Sequence, residues 1–271
     1  MIKLNKTALA RKIRPIILNL SSIVKSGQAK TLSLDNTLFL YQPDFISNFD
    51  PLMFDSDYWH HKNAITGQAQ GRGTTWFIAH DSQDWVLRHY YRGGLIGKII
   101  HDSYLFTGLE NTRAIKEYLL LAQMQNLQLP APQPVACKIA RSGLGGLKYR
   151  ADILSSRITN ASDLISQLQE KRLNDEIWCA IGETIALFHH HGIYHHDLNI
   201  HNILIDDKGK VWLIDFDQGE QRKIELSWQK ENIARLQRSF VKEKGKFPQL
   251  HWHQGNWETL LAAYDKALSE A

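Results

Sequence analysis

Cysteine is scarce: the 271 residues hold two, Cys137 and Cys179, in unrelated contexts. They supply no disulfide framework and no CxxC metal knuckle, so a reducing cytoplasm is the natural compartment. Long apolar runs are missing too, and none approaches the roughly 18 residues of a membrane span. The patch Ile16–Leu20 is too short for the apolar stretch of a secretory signal, and no clear small-x-small cleavage site follows it. Acidic residues are absent before Asp35, whereas Lys3, Lys6, Arg11, Lys12, Arg14, Lys25 and Lys30 all precede it. Residues 1–34 therefore carry +7, and the remaining 25 basic and 28 acidic side chains leave −3, for a net +4. A near-neutral body with its positive charge at one end, and no aromatics interleaved there, argues against a nucleic-acid binder. What is present is ordinary for globular chains: 43% hydrophobic and 22% charged residues, without repeats or low-complexity tracts. The length suits one or two domains with room for a core and a cleft.

Residues 7–25 mix basic and aliphatic side chains at helical spacings, with Pro15 kinking or splitting any helix. Such a segment either packs on the domain or stays partly disordered, or it lies on an anionic membrane surface. The body then reads as strands. Residues 32–42 and the pair within 74–91, turning at 81–84, are β-branched, aromatic and alternating. Residues 110–126 predict a helix with Ala114, Tyr118 and Leu121 on one stripe, ended by LPAPQP at 129–134. A strand over VACKIA, a turn at SGLGG and a strand over YRADILSSRI follow. Beyond a connector at 159–161 the pattern turns helical, over 173–191, 228–244 and 256–268, with a hairpin turning at Asp207-Lys208-Gly209. Strands first and helices later predict an α+β chain of two lobes. The division is a basic extension at 1–34, a strand-rich N-lobe at 35–160 and a mainly helical C-lobe at 161–271.

The strongest chemical signal is Tyr194-His195-His196-Asp197-Leu198-Asn199-Ile200-His201-Asn202, then a hairpin, then Ile214-Asp215-Phe216-Asp217. Phosphoryl transfer needs one carboxylate to orient the attacking hydroxyl, and a carboxylate with an amide oxygen to hold a magnesium ion on the phosphates. The histidines at 189–191, 195, 196 and 201 do not make a zinc centre on this pattern, because successive helix residues face different ways. Upstream, Gly67, Gly71 and Gly73 precede the strand TWFIA and suit a phosphate-cradling turn. Arg88 closes the strand WVLR, and Glu117 lies in the middle of the helix that follows. The run Arg92–Lys98 adds two cations and three glycines, either as an anion site near the cleft mouth or as a surface loop.

The passage 194–217 resembles the H-x-D-x-x-x-x-N and D-F-G segments of the protein-kinase-like superfamily. That resemblance implies Asp197 as catalytic base or orienter, Asn202 and Asp215 as metal ligands, and His195 as a brace. Gly67, Gly71, Gly73, Arg88 and Glu117 then form the ATP site, with Glu117 as the ion-pair partner of Arg88. His196 stands where an Arg is usual, Asn199 where a Lys is common, and Asp217 in place of the D-F-G glycine. Little chain separates Asp215 from the next helix and no A-P-E occurs, which suits a small or lipid-linked acceptor. The segments GRGTTWF, VLRHYYRGGLIGK, LPAPQPVA, YHHDLNIHNILID and WLIDFDQG resemble the bacterial kinases of the lipopolysaccharide inner core, over roughly residues 40–265. Within that branch the likeness points to 3-deoxy-D-manno-octulosonic acid (Kdo) as the sugar. It implies a bilobal kinase-like fold, ATP and Mg²⁺ as cofactors, and transfer to the 4-hydroxyl of Kdo-lipid IV(A). It also implies peripheral work at the cytoplasmic face of the inner membrane, with no nucleic acid and no obligate protein partner. A heptose or other small-molecule kinase, or a nucleotide-binding scaffold without catalysis, are the competing readings.

Overall fold

The computed structural model describes residues 19–71, 73–92 and 102–270. The readings made above for residues 7–18 and 93–98 lie outside the described residues. Thirteen strands, β1 to β13, and seven α-helices, α1 to α7, are named here in chain order among the described residues.

An eight-stranded antiparallel sheet occupies the first half, in the order β1-β2-β7-β8-β5-β4-β3 with β6 also on β8. Its strands are β1 (Lys30–Leu34), β2 (Thr37–Tyr41), β3 (Ile65–Gln70), β4 (Thr74–His80), β5 (Gln83–His89), β6 (Tyr104–Leu105), β7 (Pro134–Ser142) and β8 (Lys148–Ser156). Side chains alternate across a strand, so β5 sends Trp85 and Leu87 to one face and Val86 and Arg88 to the other. Trp85 and Leu87 join Phe39, Phe54, Trp59 and Ile78 in a buried cluster under α2 (Ser56–His61). The opposite face receives α3 (Arg113–Asn126), whose Ala114, Tyr118 and Leu121 are buried as the helical stripe requires.

One strand reading needs correction. Residues 32–42 form no single strand: β1 and β2 are a hairpin in which Leu34 pairs Thr37. Asp35 takes a φ of 48°, a left-handed conformation that Asp tolerates and that starts a tight turn. The sheet also begins inside the stretch set apart as a basic extension. α1 (Leu20–Lys25), capped by Asn19, buries Ile23, and β1 pairs along its full length. Ile23 and Ala29 belong to the main core, which ties this segment down despite its charge. The second hairpin turns as its sequence suggests. Asp81 and Ser82 both have positive φ, and His80 pairs Gln83.

After Ser156 the chain crosses to β9 (Ala161–Asp163), α4 (Leu164–Glu170) and α5 (Asp175–His190). β10 (Ile193–Tyr194), β11 (Ile203–Asp206), β12 (Val211–Leu213) and β13 (Glu220–Gln221) follow, then α6 (Leu226–Lys246) and α7 (Gln254–Glu270). α5 and α7 approach closely because α5 carries Gly182, where a Cβ would fall 2.2 Å from the Leu260 carbonyl oxygen. One buried polar chain crosses this helical half. The Tyr264 hydroxyl lies 2.7 Å from His189 Nδ1, and His189 Nε2 lies 3.1 Å from Asn232 Oδ1. Asn232 Nδ2 then donates to the His195 carbonyl at 2.7 Å. That last bond fixes the Asn232 amide, so His189 donates from Nε2 and accepts the tyrosine proton at Nδ1. A neutral ring satisfies both bonds.

The buried His189 is accordingly pushed down to about 4, chiefly by burial. A histidine in the unfolded chain titrates near about 6.5. Above that pH neither state takes the proton. Between there and pH about 4 only the unfolded chain takes it, so stability falls by roughly 3 kcal/mol across the window as pH drops. Urea unfolding followed by tryptophan fluorescence should show this decline, and His189→Gln should flatten it.

Candidate active site

Three anchors shape the loop between β10 and β11. Leu198 and Ile200 are fully buried, whereas the Asp197 carboxyl beside them is half-exposed. The side-chain amides of Asn199 and Asn202 both donate to the Asp197 carbonyl at 2.9 Å. His195 closes the loop from below: its Nε2 donates to the Ile214 carbonyl at 2.9 Å, and its Nδ1 accepts from the Asp197 amide at 3.2 Å. Burial holds this histidine's pKa below the ordinary value, consistent with the neutral tautomer these two bonds define.

The second acidic residue is presented by a different device. Phe216 is fully buried, with its ring 5.6 Å from Phe188 and 4.7 Å from His195. With Phe216 driven inward, Asp215 takes a φ of 62° and its carboxyl emerges into the cleft. The Ile214 amide donates to the Asn202 carbonyl at 3.0 Å, so the Asn202 and Asp215 segments are fastened side by side.

Arg88 reaches this point from the sheet. Its guanidinium grips both Glu117 oxygens, at 2.6 and 2.7 Å, and reaches Asp215 Oδ1 at 2.7 Å. The expected Arg88–Glu117 pair is therefore present, with the Tyr90 hydroxyl donating to Glu117 at 2.6 Å. Burial pushes the Glu117 carboxyl up, and the guanidinium opposes it. For Arg88 burial works against the charge, but Glu117 and Asp215 outweigh it and hold the pKa well above its ordinary value.

Gly71, Gly73, Arg88, Asp197, Asp215 and Arg235 all line one cleft of about 490 Å³. Gly71 and Gly73 cap it, the Gly71 amide donating to the Gly73 carbonyl at 3.0 Å. A Cβ on Gly73 would fall 1.8 Å from the Tyr91 ring, so glycine lets this turn close over the aromatic. Gly67 is not brought to the cleft. It lies within β3 opposite Phe77, at a register shift, and serves the strand rather than the turn.

Three cleft contacts had no assigned role in the sequence. Arg235 of α6 pairs with Asp197 Oδ1. Burial alone would raise the Asp197 carboxyl, and the Arg235 guanidinium outweighs it and holds it below the usual carboxylate range. Arg113, the first residue of α3, donates from Nε to Asp217 at 2.8 Å. Asp217 is thereby committed to fastening the loop to α3. Tyr90 is the third. A signal for Arg235 was present: Asn232, Arg235, Leu236 and Ser239 share one face of α6, an unusually polar stripe on an inward side. Arg113 and Tyr90 carried none, since only the fold brings them to their partners.

The donor set suits a magnesium ion. Hard oxygens are required, and the Asn202 nitrogen is spent on the Asp197 carbonyl, leaving its oxygen as the donor, with Asp215 following on the segment fastened alongside. The Arg88–Glu117 pair also makes a stability test. Arg88→Met would strand a buried carboxylate, at a cost of about 3 kcal/mol in urea unfolding. Arg88→Met combined with Glu117→Met should recover most of that loss.

Comparison with known proteins places these features. The solved structure of WaaP in complex with acyl carrier protein superposes with a TM-score of 0.51 at 15% identity, covering 82% of this chain and 89% of that one. The bilobal, kinase-like α+β fold expected from the sequence is thus the fold of the chain. The 3-deoxy-D-manno-octulosonic acid kinase of Vibrio parahaemolyticus is 46% identical over 228 residues, covering 84% of this chain and 94% of that protein. The enzyme of the same name from Photobacterium profundum is 42% identical over 234 residues, covering 86% and 97%. That from Haemophilus influenzae is 40% identical over 238 residues, covering 85% and 97%. Residues 56–264 match the family model, and the chain belongs to the lipopolysaccharide kinase (Kdo/WaaP) family.

Proposed function

We propose that the protein transfers the γ-phosphoryl group of ATP to the 4-hydroxyl of a Kdo sugar on Kdo-lipid IV(A), as a peripheral enzyme at the cytoplasmic face of the inner membrane. One observation carries the reading: Asp197, Asp215, Arg88 and the Gly71–Gly73 turn converge on a single cleft between sheet and helices. The names of the relatives supply the sugar. Among the described residues no helix is long and apolar enough to cross a membrane.

In this reading residues 35–160 hold the nucleotide and residues 161–271 present the acceptor. The phosphates lie under Gly71 and Gly73, and Arg88 offsets their charge while Glu117 holds Arg88 in place. Gly67 supports the strand behind the turn. Asn202 and Asp215 hold magnesium, which when bound neutralises charge on the phosphates. The sugar hydroxyl donates a hydrogen bond to Asp197. Its oxygen bonds to the γ-phosphorus as the bond to the bridging oxygen of ADP breaks, and the hydroxyl proton leaves by way of Asp197. Because Arg235 holds the Asp197 carboxyl below the usual carboxylate range and so weakens it as a base, orientation is the larger part of that residue's contribution.

Arg235 has a second use. Kdo is a sugar acid, and its carboxylate and 4-hydroxyl lie on nearby ring carbons. A guanidinium beside the carboxylate that orients the hydroxyl is well placed to receive the acid of the sugar.

Purified protein incubated with labelled ATP and Kdo-lipid IV(A), with and without Mg²⁺, should give a product whose phosphate maps to the 4-position by mass spectrometry. Asp197→Ala should lower kcat by about 10²- to 10⁴-fold and leave ATP binding in place. Normal turnover by that variant removes Asp197 from the mechanism. Converting the Kdo carboxylate to its amide should lower wild-type kcat/KM by about 10- to 100-fold. With Arg235→Gln the acid and amide acceptors should become nearly equal, whereas an unchanged ratio would restrict Arg235 to steadying Asp197.

A further inference from the structure

Apolar side chains on a soluble surface are ordinary when scattered and informative when they cluster. Three of the exposed leucines lie together at the end of the β7–β8 hairpin. Leu144 is 93% exposed, Leu105 66% and Leu147 59%. Leu144 and Leu147 flank a pair of glycines in the turn. Leu105 pairs across from Lys148, and the Phe106 amide donates to the Leu147 carbonyl at 2.8 Å. The backbones of the three therefore come together at this end of the sheet. Gly143, Gly145 and Gly146 all have positive φ, so the turn is shaped by glycine and the leucines are held outward rather than folded back.

The surroundings are basic. Arg141 lies over the Phe106 ring at 4.3 Å, and Lys148 and Arg150 follow the turn on exposed positions. Asp102 is the acidic group among them and is engaged by Arg150 at 2.7 Å.

Strand register sets the position of this edge relative to the cleft. β8 runs from Lys148 at the tip, through Asp152 and Ile153, which pair His89 and Arg88, to Ser156 at the crossing between the lobes. The leucine edge thus lies on the side away from that crossing, roughly 17 Å beyond the level of Arg88 at strand spacing. On the same side Tyr104, next to Leu105, accepts from Arg113 at 2.9 Å, and Arg113 holds Asp217 of the cleft.

We propose that this hairpin end is the surface by which the protein rests on an anionic bilayer. Leu105, Leu144 and Leu147 enter the acyl boundary, and Arg141, Lys148 and Arg150 meet the headgroups. The occupant is lipid rather than protein because the apolar tip is small and the charged side chains that flank it, Arg141, Lys148 and the Asp102-paired Arg150, are mainly cationic. The proposal rests on the reading that the acceptor is lipid-linked: a sugar entering the cleft leaves its acyl chains in the membrane, so a surface beside the opening must meet that membrane.

The test is flotation of the full chain with phosphatidylethanolamine vesicles, with and without phosphatidylglycerol. Wild type should float with the phosphatidylglycerol vesicles, and Leu144→Asp with Leu147→Asp should cut that binding by at least about tenfold. Phosphorylation of Kdo-lipid IV(A) in those vesicles should fall in step, while a delipidated Kdo acceptor should be phosphorylated at the wild-type rate. Both leucines are exposed, so the variant should melt at the wild-type temperature. Vesicle binding unchanged in the variant, or absent in wild type, overturns the proposal. If wild type floats and the variant does not, but neither phosphorylates any Kdo acceptor, the membrane surface stands and the assignment of the sugar falls.

Discussion

A chain of buried hydrogen bonds without formal charge carries the geometry of the cleft. It runs from Tyr264 through His189 and Asn232 to the His195 carbonyl, and from the His195 ring to Ile214 and the Asp197 amide. Every group offers the complement of what its neighbour needs, so two histidines stay neutral where a charged ring would leave a buried donor without an acceptor. The segments bearing Asp197, Asn202 and Asp215 are all fastened to this chain or to each other. Backbone placement is thus settled in the dry interior of the helical half, and the carboxylates only have to face outward.

Charge does its work at the boundary between the halves. Arg88 comes from the sheet, Glu117 from the helix behind it and Asp215 from the far side of the cleft. A single guanidinium has the planar fork to serve both carboxylates, which a lysine would serve only as a point charge. The arginine at this position therefore joins the lobes. Arg113 and Asp217 make a second tie close by, between the start of α3 and the segment after Phe216.

Much of this could be read from the chain because short-range rules governed it. The spacing of Asp197, Asn202 and Asp215 around a hairpin is a local pattern, and so are the helical stripe of α3 and the turn at Asp81-Ser82. The pairing of Arg88 with Glu117 was implied by the resemblance to kinase-like chains rather than by either residue's own surroundings. What escaped was long-range or a matter of register. Arg235 meets Asp197 only after α6 packs against the loop, and Arg113 finds Asp217 across more than a third of the chain. Gly67 looked like part of a phosphate turn because glycines are indistinguishable in sequence, whereas pairing placed it inside β3. The strand predicted over 32–42 failed at Asp35-Asn36, where turn chemistry prevailed over an otherwise continuous β pattern. The burial of Ile23 and Ala29 was hidden by the basic residues around them.

The wedge of Phe216 between Phe188 and His195 has a pharmacological consequence. Turning that ring out would break two aromatic contacts, the Asp217–Arg113 tie and the Arg88–Asp215 bond together. A compound that needs the space behind Phe216 would have to overcome all of them at once. Ligands that leave the ring seated and occupy the open groove in front of it face no such barrier, and a screen against this protein is better directed there.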